Sequence, residues 1–123
     1  MLMAFFSANN TMAESGIVEQ VSSTLSSNSA ANNLATYFDK TIEMTLLDKE
    51  SNYSKSQAQA ILSAFFQTHT INNFKLKHQG KSPDGSTFGI GTLTTTNGNF
   101  NVVFYAKQKG NQFLIQEIRF EKE

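Results

Sequence analysis

The chain has no cysteine, a single proline and no surplus of either charge. Without cysteine there can be no disulfide, no thiolate nucleophile and no cysteine-ligated zinc. Its 10 basic and 10 acidic residues cancel. That balance argues against a nucleic-acid partner, because neutralising phosphates requires an excess of Lys and Arg on one face. No apolar run approaches the ~20 residues needed to cross a bilayer, so no transmembrane segment is expected. Metal ligation is not expected either: His69 and His78 stand apart and the carboxylates are scattered without ligand spacing. Nor is a cofactor. Gly89-Ile90-Gly91 lies inside an extended run with no following helix, so it is not a phosphate loop.

At 123 residues the chain suits one domain, and folding would bury roughly two-thirds of the unfolded surface. Residues 1–13 stand outside that domain. Met1-Leu-Met-Ala-Phe-Phe6 is apolar, no Lys or Arg precedes Lys40, and Thr11-Met12-Ala13 has the small-x-small form of a signal cleavage site. Two readings stay open: the remnant of an export signal, implying a periplasmic protein, or an arm packed on the domain or a neighbour. In the second case the protein is cytoplasmic. The domain itself is then residues 14–123.

Ile17, Val21 and Leu25 recur at helical spacing and predict a short amphipathic helix over Glu14–Leu25. Ser26–Ser29 breaks it, and Ser29 is placed to cap a second helix over Ala30–Phe38 with Ala30, Ala31, Leu34 and Phe38 inward. Thr41–Leu47 alternates apolar Ile42, Met44 and Leu46 with polar Thr41, Glu43 and Thr45, which predicts a strand. Asp48–Asn52 reads as its turn and Tyr53 as a stub of a returning strand. Ser54-Lys-Ser-Gln57 is a capping box opening a helix to about Thr68, with Ala58, Ile61, Leu62, Phe65 and Phe66 on one face.

From Phe74 to Phe120 the sequence is a four-stranded antiparallel meander punctuated at Pro83-Asp84-Gly85, Asn97-Gly98 and Gly110-Asn111. Taking Asn97-Gly98 as a two-residue turn puts Phe100, Val102, Phe104 and Ala106 on one face with Gly89, Gly91 and Leu93. Phe88, Ile90, Val103 and Tyr105 fall on the other. A second such turn at Gly110-Asn111 adds Phe113, Ile115, Glu117 and Arg119 to the first face, and Leu114, Gln116, Ile118 and Phe120 to the second. Both faces are apolar, so both need covering. A homodimer through Phe88, Ile90, Val103, Tyr105, Leu114 and Ile118 is the expected cover; a folded-back Met1–Phe6 arm is the competing one.

This order of elements resembles the nuclear-transport-factor-2-like superfamily, an α+β, cystatin-like cone in which a strongly bent antiparallel sheet wraps around a long helix. Within it the chain is similar to an uncharacterised family of small exported proteins from Bacteroidetes. The residues carrying the likeness are Leu34-Ala-Thr-Tyr-Phe-Asp39, Glu43-Met-Thr-Leu-Leu-Asp-Lys-Glu50, Tyr53-Ser-Lys-Ser-Gln-Ala58 with Gln59, His78-Gln-Gly80, Gly89-Ile-Gly-Thr-Leu93, Asn97-Gly98 and Leu114-Ile-Gln-Glu-Ile-Arg-Phe-Glu-Lys122. The resemblance implies that Thr41–Leu47 pairs with Leu114–Phe120, leaving Phe74–Gln79 at a sheet edge. It does not choose a function, because the superfamily holds isomerases, dehydratases, cyclases and pure interaction domains.

Five residues are candidates for a pocket. His78 follows Phe74 and Leu76 in strand alternation and is placed to act as an acid or base, or to serve as a core-edge histidine. Asp39 stands at a helix–strand junction, where turn hydrogen bonds are the ordinary role. Glu117 and Arg119 share a strand face as an ion pair, and Tyr105 offers a hydroxyl at a core margin. Lys75, Lys77 and Lys81 suit an edge strand that must resist pairing. No sequence neighbour orients His78 as a base needs. The expectation is therefore a small exported binding or interaction domain without catalytic residues. The alternative is an isomerase or hydrolyase of the ketosteroid-isomerase-like kind using the cone pocket.

Overall fold

A computed structural model of the chain describes residues 16–27 and 29–123. The expected arm over residues 1–13 and the first residues of the expected first helix lie outside these. Helix α1 covers residues 16–25 and α2 covers Ala30–Ala35. Strands β1 (Phe38–Leu46) and β2 (Lys49–Ser54) precede helix α3 (Lys55–Thr68). The remaining strands are β3 (Ile71–Lys81), β4 (Thr87–Thr95), β5 (Gly98–Lys109) and β6 (Gln112–Lys122). The architecture is α+β, with the described strands in one six-stranded sheet of order β2-β1-β6-β5-β4-β3.

Strand β1 pairs with β6, and β3 stands at an edge, both as the resemblance implies. The β1–β6 pairing is parallel, so the sheet is mixed rather than wholly antiparallel. Two boundaries and one cap bond also differ. Phe38 begins β1 instead of closing α2, because the helix stops at Thr36 and the apolar Phe38 side chain is buried in the sheet. The β1–β2 turn is Leu47-Asp48, with Leu47 at φ 60°, and the polar run from Lys49 forms a full edge strand. Ser29 takes the N-cap position of α2 without a side-chain cap bond.

Helix α3 opens as its sequence demands. Gln57 N donates to Ser54 Oγ at 3.2 Å and Ser54 N donates back to Gln57 Oε1 at 3.0 Å, satisfying two free helix-end donors at once. Its inward Ala58, Leu62 and Phe65 join Ile17, Val21, Leu25 and Leu34 of the other helices over one sheet face. Phe65 meets Phe100 edge-on at 5.4 Å between ring centres. From the sheet come Leu93, Val102, Phe104, Ala106, Ile115, Ile118 and Phe120, every one buried. We call this the helix-bearing face and its opposite the outer face.

The β4–β5 hairpin turns one residue earlier than expected. Thr95 pairs with Gly98, so Thr96-Asn97 are the central residues and Gly98, at φ 118°, follows them. Because the shift in pairing is two residues, the face of each side chain is unchanged. Gly110-Asn111 does form the β5–β6 turn, with positive φ at Gly110.

Strand β6 carries the larger correction. Ala106 pairs with Ile115 but Tyr105 pairs with Glu117, so Gln116 is an extra, bulged residue. A bulge reverses the side-chain alternation beyond it. Ile118 and Phe120 therefore point into the helix-bearing core, fully buried, and Glu117 and Arg119 share the outer face with Tyr105 and Val103. Ile118 is thus removed from the expected dimer surface. A second bulge, between Leu76 and His78 on β3, sets His78 beside Ile90 on the outer face, not with Phe74 and Leu76.

The glycines of β4 answer to aromatic rings within the sheet and not to a helix. A side chain on Gly89 would occupy the space of the Phe104 ring, and one on Gly91 would meet the Phe74 ring and the Lys75 carbonyl.

Candidate functional site

The outer face is legible as cross-strand rows. One row runs Phe88, Tyr105, Glu117, Glu43, Asn52 from β4 to β2. The next runs His78, Ile90, Val103, Arg119, Thr45, Glu50 across the whole sheet. An aromatic and aliphatic centre thus grades into an acidic flank on β6, β1 and β2.

Beside the first row the sheet opens. Phe38 of β1 pairs with Ile115 of β6, and the strands next pair at Glu43 and Glu117. Strand β1 spends residues 39–42 where β6 spends only Gln116. The slack leaves an outer-face groove of about 790 Å³, walled by Asp39, Lys40, Glu43, Tyr105, Lys107 and Glu117 among others. The β3–β4 loop forms its rim. Gly85 N donates to Ser82 O at 2.9 Å, Ser82 N to Ser86 O at 2.8 Å and Ser86 N to Asp84 Oδ1 at 3.0 Å, which holds Ser82 and Asp84 over the groove.

Asp39 sits at the split with 8% of its surface exposed. Lys109 Nζ lies 2.8 Å from Asp39 Oδ2, Gln116 Nε2 donates to the same oxygen at 2.8 Å, and Lys40 N donates to Oδ1 at 2.7 Å. The Lys109 ammonium, with these N–H donors and against the opposing effect of burial, lowers the carboxyl pKa to about 2. A carboxylate held so far below neutral pH is a poor proton acceptor. Its work is to join β1, β5 and β6 where the ladder is interrupted.

The acidic flank behaves in the opposite sense. Glu43 has its pKa raised, first by a side-chain hydrogen bond with Glu50 and then by the charge of Glu117 beside it. Negative charge gathered around Glu43 disfavours its ionised form. Glu117 is compensated by Arg119, whose Nε lies 3.2 Å from Glu117 Oε2, although that N–H is not aligned for a hydrogen bond. The Arg119 guanidinium also stands 5.9 Å from the centre of the Tyr105 ring, within cation–π range. Thr45 Oγ1, between Glu50 and Arg119 in register, is buried with no hydrogen-bond partner among the described residues.

Of the pocket candidates, Asp39, Tyr105 and Glu117 wall this groove, and Arg119 flanks it through Glu117. His78 does not: it is exposed, one row away, with Ile90 as its cross-strand neighbour. The other histidine, His69, closes α3, its Nδ1 3.0 Å from Phe65 O and its ring stacked on Phe65 at 4.1 Å. Glu43, Glu50, Lys40 and Gln116 were not singled out from sequence. Glu43 and Glu117 become neighbours only once the parallel β1–β6 pairing is known. Of the expected dimer surface, Phe88, Ile90, Tyr105 and Leu114 are half-buried on the outer face and Val103 is buried there. Among the described residues no group of three His, Asp or Glu is arranged to hold a metal ion, and no helix is long and apolar enough to cross a membrane.

The family model described as "Domain of unknown function (DUF4783)" matches residues 18–121. Among solved structures, a DUF4783 family protein from Bacteroides ovatus is 35% identical with a TM-score of 0.78, over 85% of this chain and 93% of that one. A second, from Bacteroides uniformis, is 31% identical with a TM-score of 0.79, over 85% and 95%. An NTF2-like protein of unknown function from Pseudomonas putida is only 14% identical, over 90% of this chain and 87% of that one. Its TM-score of 0.67 shows a shared fold and no more. No curated protein matches. With nearly all its described length matched and relatives of this similarity, the chain belongs to the DUF4783 family and has an NTF2-like fold.

Proposed function

We propose that this chain is an exported, non-catalytic binding and interaction domain over residues 14–123, with its sheet bent as a cone around α3 and its outer face as the working surface. One observation carries the reading: among the described residues, side chains fill the space between helices and sheet. Phe38, Phe104, Phe120, Leu34, Leu62 and Ile115 are each less than 2% exposed there, where an isomerase or hydrolyase would need an open pocket with converging polar groups. Polar groups converge instead on the outer groove.

The same reading includes a homodimer through the apolar rows of the outer face, with Phe88, Ile90 and Val103 at its centre and Tyr105 at its margin. Phe88 and Tyr105 already pack together with ring centres 6.0 Å apart, and a two-fold partner is the commonest cover for such a strip. The test is sedimentation of the full chain at micromolar concentration. A dimer that Ile90→Lys converts to a monomer supports the reading, and a monomeric full chain overturns it. Export is tested by fractionating the producing cell: periplasmic protein whose mass corresponds to a start at Glu14 agrees, and intact cytoplasmic protein does not.

A further inference from the structure

The apolar strip of the outer face lies between two flanks of opposite charge. One row runs Lys75, Thr92, Asn101, Glu121 from β3 to β6, and its neighbour runs from His78 to Glu50. The third ends on Glu117, Glu43 and Asn52. At the β3 edge Lys77 joins the cationic side. Its Nζ lies 3.9 Å from Glu123 Oε2, which also accepts from the outer-face Thr92 Oγ1 at 2.9 Å. Both members of that pair are exposed, so it is worth little. Lys75 is exposed and has no ion-pair partner among the described residues. On the far side Arg119 is spent on Glu117 at 3.2 Å, and the charges of Glu50 and Glu117 both bear on Glu43.

Two sheets packed face to face with their strands aligned can be related by a two-fold axis lying across the strands or along them. An axis across the strands sets each strand over its own copy. Acidic flank would then meet acidic flank, and lysine edge would meet lysine edge, a costly juxtaposition at an interface. An axis along the strands reverses the strand order instead. We infer that two copies of this chain meet in the second way, with Lys75, Lys77 and His78 of each protomer covering the Glu43 and Glu117 flank of its partner. This rests on the homodimer reading above and adds its orientation.

The position of the apolar residues agrees. Phe88 and Ile90 stand on β4, Val103 and Tyr105 on β5 and Leu114 on β6, so β5 is the middle strand of the strip. An axis along β5 covers the strip with itself. It also sets β1 of one protomer over β3 of its partner, while the two β1 strands stay four strand spacings apart, about 19 Å. His78 and Glu43 belong to adjacent rows, an offset of about 7 Å along the strands.

The first test is sedimentation of the full chain at about 50 mM and about 500 mM NaCl, which changes the screening length severalfold. Opposed flanks predict a dissociation constant that rises about fivefold with salt, as attraction is screened. A dimer that tightens with salt, or does not respond, overturns the orientation. The second test exploits the absence of cysteine. Glu43→Cys and His78→Cys chains, each matching the unmodified protein in circular dichroism, are mixed, left to exchange and treated with a short bismaleimide. Cross-linking is expected in the mixture well above that of either variant alone. A mixture that cross-links no better than its parts overturns the orientation and leaves the dimer standing. Lys75→Glu should weaken the dimer about tenfold, since a two-fold interface feels each reversal twice, and adding Glu43→Lys should restore most of the loss. A monomer at both salt concentrations removes the homodimer reading itself, and the orientation with it.

Discussion

Gln116 Nε2 donates a 2.8 Å hydrogen bond to Asp39 Oδ2, joining two strands at the point where their backbones part. The bulged residue of β6 thereby closes the gap that its own insertion, and the longer detour of β1, create. The same carboxylate holds Lys109 from β5.

Asp39→Asn is expected to cost about 1 kcal/mol at neutral pH, after allowing for the exposure of Lys109. Because the folded pKa lies below the ordinary 3.8, this stability is present above that value and is lost as pH falls toward about 2. Urea unfolding from pH 6 to pH 2 checks it: the difference between wild type and variant should vanish at the acid end.

Glu43→Gln should act in the opposite direction. A raised folded pKa favours the native state at low pH and loses that advantage as pH rises through the folded value. Removing one carboxyl from the Glu43, Glu50 and Glu117 group should stabilise the protein by about 0.5 kcal/mol at pH 8, the scale of a like-charge cross-strand contact. The gain should shrink at pH 4. Thermal melts at the two pH values decide the sign.

Ile118→Ala should cost about 3 kcal/mol, as expected for a fully buried aliphatic side chain. Leu114→Ala should cost about 1 kcal/mol or less, since Leu114 is only half-buried on the outer face. Without the bulge at Gln116 these two residues would share a face and respond alike. Equal losses in denaturant unfolding would therefore contradict the bulge.

Gly91→Ala should be among the most harmful small substitutions, about 3 kcal/mol, since the added methyl meets the Lys75 carbonyl as well as the Phe74 ring. Gly89→Ala meets the Phe104 ring first, and Phe104→Leu in the same chain should recover part of its loss, measured as melting temperature.

His78→Ala should change stability by less than about 0.5 kcal/mol, the usual range for an exposed site. Its side chain is exposed and does not wall the groove.

Much of this fold was legible because local signals agreed with one another. The Ser54–Gln57 capping box, the inward stripe of α3 and the Gly110-Asn111 turn each need only a few adjacent residues, and each appears as read. The β4–β5 faces survived a misplaced turn because the error was an even number of residues. Strand β6 was misread past Gln116 because no residue type announces a bulge there; its glutamine is unremarkable until Tyr105 is seen opposite Glu117. The bulge in β3 moved His78 for the same reason. The groove depends on these irregularities and on the contact of β1 with β6, elements from opposite ends of the chain. Asp39, Tyr105 and Glu117 could be noted one by one, but nothing in their sequence spacing brings them together.

The parallel β1–β6 pairing also sets an order of events in folding. On a growing chain β1 can pair with β2 at once, through the Leu47-Asp48 turn. Its other side must wait until β6, the last strand, has been made. Until then Phe38, Ile42 and Met44 belong to a hairpin with an unpaired inner edge, the kind of surface that invites association with other chains. Closing so long a loop is slow compared with forming the β5–β6 hairpin. Shortening the chain within Leu114–Phe120 should therefore do more than trim an end: it would leave the first strand permanently without its neighbour.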